Sequence, residues 1–266
     1  MQVVIPALMT VCLLVLPAQA QYSGGSGTAE DPYQIATAED LMHLGETPDD
    51  YDQHFVLTAD IDLAPNLPGN RVFDRAVIAP DVDWETPSHF DGTGFTGVFD
   101  GDGHVISHLT IAGVSYLGLF GVLHPGATIS NVGLESVDIQ GTDIYVGGLV
   151  GYNSGGGITQ SYSAGTVGAD ACVGGLAGRN KGDISTSYSS ATVRGERYVG
   201  GLVGYSDSEG NIAMSYSTGR VSGNSGVGGL VGSGAPECTN DSFWDTDASG
   251  QIVSAGARGC PLARCK

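Results

Sequence analysis

Tyr145-Val-Gly-Gly-Leu-Val-Gly151 returns as Cys172-Val-Gly-Gly-Leu-Ala-Gly178, as Tyr198-Val-Gly-Gly-Leu-Val-Gly204 and as Gly226-Val-Gly-Gly-Leu-Val-Gly232. Leu117-Gly-Leu-Phe-Gly121 is a weaker, earlier copy. Taking the Gly before the Leu as the marker, the copies fall at Gly118, Gly148, Gly175, Gly201 and Gly229, with spacings of 30, 27, 26 and 28. A second motif keeps the same beat: Ile158-Thr-Gln-Ser-Tyr-Ser163, Ile184-Ser-Thr-Ser-Tyr-Ser189 and Ile212-Ala-Met-Ser-Tyr-Ser217, followed by Val167, Val193 and Val221. Short apolar runs broken by Gly, Ser and Asn at this period fit one turn of a β-solenoid. Leucine-rich repeats share the period, but their L-x-x-L-x-L spine is missing. Helical repeats need longer stretches free of Gly and turn formers. The expectation is an all-β parallel β-helix of about five coils, with strands of successive coils about 4.8 Å apart.

Within each copy, Leu and Val supply an inward apolar ladder. The paired glycines are expected at the corners, where they would tolerate positive φ and present no Cβ to the neighbouring coil. Tyr162, Tyr188 and Tyr216 are expected to stack ring over ring, as packing glue or as a sugar-binding aromatic strip.

These residues resemble the GLUG motif of Gly-rich exported bacterial surface proteins, among them adhesin-like proteins and an immunoglobulin-A-specific metallopeptidase. The resemblance covers roughly Val114 to Gly232, and segments such as Phe95-Thr-Gly-Val-Phe-Asp-Gly-Asp-Gly-His-Val-Ile106 and Ser242-Phe-Trp-Asp245 look like the usual flanks of such arrays. It implies a pectin-lyase-like β-solenoid, export, and surface binding or adhesion. The peptidase activity does not carry over, because no H-E-x-x-H occurs here.

Composition agrees with this reading. The 266 residues include 43 Gly and only 15% charged residues, and 29 Asp+Glu against 10 Lys+Arg give a net charge of −19. Such a chain repels phosphate, which excludes nucleic acid as a default partner. The charge is uneven: residues 21–110 hold 17 acidic residues against Arg71 and Arg75, a net of −15, whereas residues 111–266 net −4.

Residues 1–20 carry no charged side chain, run apolar from Val3 to Leu16 and end in Ala18-Gln19-Ala20, the pattern of a signal peptide cleaved after Ala20. The apolar run is short for a bilayer span, and no second one follows. The expected location is secreted or cell-surface. Loss of Cys12 then leaves Cys172, Cys238, Cys260 and Cys265. Three of them lie near the C-terminus, which favours a disulfide of Cys238 with Cys260 or Cys265 and leaves Cys172 as a small buried hydrophobe. Zinc is disfavoured, since no C-x-x-C pair exists and every His lies at or before His124.

Four parts are expected: a signal peptide (1–20), an acidic cap with opening coils (21–110), the repeat solenoid (111–237) and a C-terminal cap (238–266). In the acidic part, Thr37-Ala-Glu-Asp40 opens a short helix with Leu41 and Leu44 as its apolar stripe and Gly45 as its stop. Phe55 to Leu63 reads as one strand with Asp60 and Asp62 on one face. Residues 64–94 read as a long loop, and Trp244 as part of the closing cap.

Chemistry is sought in the D-x-D pairs Asp60/Asp62, Asp81/Asp83, Asp100/Asp102 and Asp245/Asp247. Such pairs bind Ca²⁺, serve as acid and base in glycan cleavage, or bond the local backbone at turns. Asp100 and Asp102 are the candidate metal ligands, and no other cofactor is implied. No nucleophile and base assemble, His104 and His108 share one strand face at most, and no P-loop or G-x-S-x-G appears. No catalytic residue is assigned. The reading is a secreted, non-catalytic surface-binding module for a glycan or protein. The alternatives are a Ca²⁺-dependent polysaccharide-degrading lyase or hydrolase, and a structural spacer of a surface assembly.

Overall fold

The computed structural model describes residues 22–83, 89–234, 239–256 and 258–260. The signal-peptide segment, Cys238 and Cys265 lie outside these residues, as does the side chain of Cys260.

Apolar residues at one register position recur once per coil, and the chain winds to stack them. Three parallel sheets form the sides of the resulting solenoid. The first has eight strands, from Tyr33–Ile35 and His54–Leu57 through Val98–Asp100, Thr128–Ser130, Gly157–Thr159, Asp183–Ser185 and Asn211–Ala213 to Thr239–Asn240. The third has five: Phe120–Leu123, Val150–Asn153, Ala177–Asn180, Val203–Ser206 and Val231–Gly234. The second, of thirteen strands, carries the long strands Gly133–Gly141, Tyr162–Gly174 and Thr192–Gly200. Five coils are complete on all three sides, as the repeat arithmetic predicts, and the first sheet continues beyond them. Its eight layers make a stack about 34 Å tall at the usual strand spacing.

Inward columns are nearly pure. Phe55, Phe99, Ile129, Ile158, Ile184 and Ile212 align in the first sheet, and Ile111, Ile139, Val167, Val193 and Val221 in the second. Leu149, Leu176, Leu202 and Leu230 are all completely buried. Each such side chain contributes about 1.5–3 kcal/mol by burial. A polar column completes the interior: the hydroxyls of Ser187, Ser215 and Ser242 accept the backbone N–H of Ser161, Ser187 and Ser215 on the preceding coil. Each hydroxyl also donates to the carbonyl two residues before it at 2.8 Å, so these buried groups are satisfied.

The glycines differ from the sequence expectation. None of the paired glycines has positive φ. The left-handed corners are instead columns of other residues: Asp102, Asn131, Gln160, Thr186, Met214 and Asp241, with φ between 45° and 54°, and Tyr116, Tyr145, Cys172 and Tyr198, with φ between 52° and 60°. Their N–H groups are turned toward the adjacent coil, where Gln160, Thr186 and Met214 donate to Ser185, Ala213 and Asn240 at 3.0–3.2 Å. These cross-coil bonds offset the roughly 1–2 kcal/mol that a left-handed L-residue costs. What the motif glycines supply is closeness. A Cβ on Gly175 would lie 2.0 Å from Ser189 Oγ and 2.3 Å from Gly201 O, and one on Gly178 would lie 2.4 Å from Val146 N of the neighbouring coil.

The N-terminal part also departs in detail. Helix α1 (Ala38–Glu46) starts with the expected capping box between Thr37 and Asp40 and buries Leu41 and Leu44. Gly45 does not stop it, because it lies within the last turn, where a Cβ would sit 2.0 Å from Val77 O. Phe55 to Leu63 is two strands, His54–Leu57 in the first sheet and Ile61–Asp62 in the second. The alternation survives the corner, with Ile61 and Leu63 buried and Asp62 exposed. The described residues of 64–94 form no helix or strand, as expected of a long loop or irregular extension, and two isolated bridges, of buried Phe73 with Ile111 and buried Ile78 with Phe120, tie it to the solenoid. At the other end Trp244 is 2% exposed, donates its indole N–H to Gln251 O at 2.8 Å and precedes the one-turn helix α2 (Thr246–Ser249).

Candidate functional site

The carboxylates singled out by sequence are held in local structure. Asp100 Oδ1 accepts the N–H of Asp102 at 3.0 Å and the side-chain amide of Asn131 at 2.9 Å. Asp81 Oδ1 likewise accepts the N–H of Asp83 at 3.4 Å, and Asp245 Oδ1 that of Asp247 at 2.9 Å. These are turns in which a side chain bonds its own backbone two residues on. Asp62 does the same with Ala64 at 2.9 Å. Among the described residues no group of three or more His, Cys, Asp or Glu is spaced to hold a metal ion.

Asp60 and Asp62 also meet the two histidines of the acidic region. His104 Nδ1 lies 3.1 Å from Asp60 Oδ1, and His108 Nδ1 lies 2.9 Å from Asp62 Oδ1. The backbone N–H of Val105, with His104 beside it, holds the Asp60 carboxyl below its usual range, and Ala64 with His108 does so for Asp62. A carboxylate orienting an imidazole is half of an acid–base unit. Both pairs are surface groups, and neither lines a cavity described below.

The tyrosine ladder forms as expected. Tyr162 and Tyr188 stack at 4.8 Å and 4°, Tyr188 and Tyr216 at 4.9 Å and 2°, and Phe243 extends the column at 5.4 Å. The Tyr162 hydroxyl donates to Glu135 at 3.0 Å, and burial, aided by that carboxylate, pushes the phenol up to about 12. Both ring faces of Tyr188 are covered by neighbouring rings, so the ladder presents edges rather than the flat faces on which a sugar stacks.

A second aromatic group was not legible in the sequence. On the outer side of the third sheet, Tyr152, Arg179 and Tyr205 share a register position. The Arg179 guanidinium lies 5.0 Å from the Tyr152 ring centre and 5.8 Å from that of Tyr205. It forms a two-pronged bond to Asp207 at 2.7 and 2.9 Å and donates to the Tyr145 hydroxyl at 3.0 Å. The Asp207 bond, against the cost of burial, raises the guanidinium's affinity for its proton. Cys172, buried nearby, is a free thiol pushed up to about 11 by burial, which matches its expected role as a packing residue.

A cavity near 1010 Å³ lies beside α1, but its Asp40 and Arg71 are engaged with Thr37 and Glu46. Three smaller cavities lie in a row along the outer face of the second sheet, and this row is called the groove below. The central one, near 540 Å³, is lined by Gln140, Gly141, Ala169, Asp170, Arg194 and Glu196 among others. At one end it meets a 330 Å³ cavity through the register pairs Ala112 with Gln140 and Gly113 with Gly141. At the other it shares Ser222 and Gly223 with a cavity of 340 Å³ reaching Arg220 and Asp247. The floor is Gly or Ala in every coil: Gly113, Gly141, Ala169, Gly195 and Gly223. Beside this floor the next register position runs Ala112, Gln140, Gly168, Arg194 and Ser222.

Sheets, corners and coil length together define a repeat protein of the parallel β-solenoid class. The family described as the GLUG motif matches residues 142–168, 169–194 and 195–222, and the chain is a GLUG-repeat protein. The copies at Leu117–Gly121 and Gly226–Gly232 occupy equivalent register positions, Phe120 with Val150 and Val203 with Val231. Halomucin of Haloquadratum walsbyi is 34% identical over 161 residues, which are 58% of this chain and 2% of that protein. A candidate Gly-rich membrane protein of Evansella cellulosilytica is 34% identical over 143 residues, 50% of this chain and 15% of the relative. The chain thus spans a small part of these curated relatives. The crystal structure of a candidate immunoglobulin A1 protease from Bacteroides ovatus aligns with a TM-score of 0.64 and 26% identity, over 85% of this chain and 70% of that one. No helix among the described residues is long and apolar enough to cross a membrane.

Proposed function

We propose that this chain is an exported, non-catalytic surface-binding module that holds an extended glycan along the axial groove. Its working parts are the acidic cap (21–110), the repeat solenoid (111–237) and the C-terminal cap (238–266). The observation that carries this reading is the groove, whose small-residue floor recurs in each coil. A linear polymer laid along the axis meets the same backbone floor at every layer, beside hydrogen-bonding side chains that change from coil to coil. Polar planar groups on a rigid scaffold suit hydroxyl-rich ligands. The Evansella cellulosilytica relative, by its name a Gly-rich membrane protein, supports a place at the membrane or cell surface.

One observation favours an enzyme instead: the Asp60–His104 and Asp62–His108 pairs, in a chain similar in structure to a candidate protease. A glycan array read alongside assays for reducing ends, unsaturated product and peptide cleavage separates the two. The module reading expects binding without turnover and loss of that binding in Ser222→Trp, whose exposed side chain would fill the groove. Turnover abolished by His104→Gln, or by Asp100→Asn with Asp102→Asn, would establish the enzyme.

A further inference from the structure

Two sets among the eight arginines of this acidic chain contrast. Arg71, Arg75 and Arg179 are ion-paired, with Glu46, Asp74 and Asp207 at 3.5, 3.0 and 2.7 Å. Arg194 and Arg220 line the groove and, among the described residues, make no ion pair, although Asp170, Glu196 and Asp247 line the same groove. Glu196 sits between Arg194 and Arg197 in sequence, yet its carboxylate takes the side-chain amide of Asn224, a neutral partner on the next coil. Arg194 and Arg220 stand on adjacent coils: Val193 N–H donates to Arg220 O at 2.8 Å, and Arg194 is in register with Ser222. Both are exposed residues. One guanidinium therefore borders each of two neighbouring polar cavities that share Ser222 and Gly223, and neither makes an ion pair among the described residues.

Resting on the groove reading, we infer that its central and C-terminal stretch takes a linear polymer bearing carboxylate or sulfate groups, which Arg194 and Arg220 read. A guanidinium offers paired N–H donors that match either oxyanion two-pronged, and it is more weakly hydrated than an ammonium, so it gives up water readily. The net charge of −19 opposes a polyanion at long range. A Debye length of about 8 Å at physiological ionic strength confines that repulsion, so the contact is decided inside the groove. The charge asymmetry helps, since most carboxylates lie in residues 21–110 and the central groove is built from the later, less acidic coils.

The test uses three probes with one backbone: dextran, carboxymethyl-dextran and dextran sulfate. Binding of the full chain is measured at 0.15 M salt by biolayer interferometry, with melting curves to verify folding. The expected result is retention of one or both anionic derivatives over dextran, and the preferred derivative identifies the group as carboxylate or sulfate. Arg194→Gln with Arg220→Gln is expected to lower that affinity at least about tenfold, and Ser222→Trp to abolish it. Arg179→Lys, on the third sheet, should leave it unchanged. Anionic derivatives held no better than dextran, or held equally by the double variant, would overturn the inference while leaving array binding that Ser222→Trp abolishes intact. Array binding indifferent to Ser222→Trp would instead bring down the groove reading itself.

Discussion

Two halves of one solenoid solve the same stacking problem by different means. In the repeat coils, identical small residues return every 26 to 30 positions, and the interior is a set of matched Leu, Val, Ile and Ser columns. In the opening coils nothing repeats, and the space is filled by large rings: Tyr51, Phe55, Phe95, Phe99 and Phe120 pack at tilted or edge-on angles with centres 5.2–6.1 Å apart. Left-handed corners run through both halves, from Asp102 and Tyr116 to Met214 and Tyr198. A repeating coil needs only small parts, because each layer is shaped to fit its copy. A terminal coil has no copy on one side and must close the core with bulk.

This contrast can be broken most strongly at the motif glycines. Gly175→Val should cost more than about 3 kcal/mol and abolish cooperative folding, because the added atoms overlap Ser189 and the Gly201 backbone, neither of which can retreat. Gly157→Ala, in open space without a positive φ, should change stability by no more than about 0.5 kcal/mol. Denaturant unfolding of the pair measures how much of the motif is close approach rather than flexibility. Next come the cores. Phe99→Ala should cost about 3–5 kcal/mol and Leu202→Ala about 2–5, both readable as a lowered denaturation midpoint.

The cap gives a pH-dependent comparison. Burial pushes the Asp40 carboxyl upward, but hydrogen bonds from Ser23, Ala36 and Thr37 outweigh it and hold the group below its ordinary range. A carboxyl depressed by folding contributes stability that is fully present above the unfolded value and lost as pH falls through the folded one. Asp40→Asn should therefore destabilise at pH 7 by about 1 kcal/mol, the typical worth of such capping bonds. Its difference from the parent should shrink as pH drops below the ordinary carboxylate range, as melting curves across pH would record.

At the corners, Met214→Gly should stabilise by up to about 1 kcal/mol, since the residue is 59% exposed and left-handed at φ 50°. The smallest expected effect is none: millimolar Ca²⁺ should leave the melting temperature unchanged, because Asp100 and Asp102 form a turn rather than converging with further ligands. A clear upward shift would reveal a bound-metal site.

Much of the architecture was readable in advance because repeat period and apolar alternation are one-dimensional signals. The Leu149 to Leu230 column, the tyrosine stack, the capping box at Thr37 and the closure by Trp244 all rest on local spacing. The break between Leu57 and Ile61 was hidden, since a solenoid corner preserves alternation and leaves no mark on the pattern. Gly45 was misread, and the paired glycines hold their expected close approach to the next coil without the expected positive φ, for a related reason: sequence shows that a side chain is absent, but not which neighbouring atom requires its absence.

The candidate site was less legible still. Three of the D-x-D pairs form the side-chain-to-backbone turns that the sequence offered as one of their roles, because that bond is local, whereas the Asp60 and Asp62 contacts to His104 and His108, the Arg179 cluster and the groove join residues far apart in the chain. By itself the sequence determined the parallel stack, its coil length and its inward ladders, because these follow from repetition along one chain. Only the tertiary structure decided which side chains meet across coils, where the left-handed corners fall, and that small residues from Gly113 to Gly223 line a row of cavities bordered by Arg194 and Arg220. Register between coils sets those contacts, and register emerges when the whole stack packs.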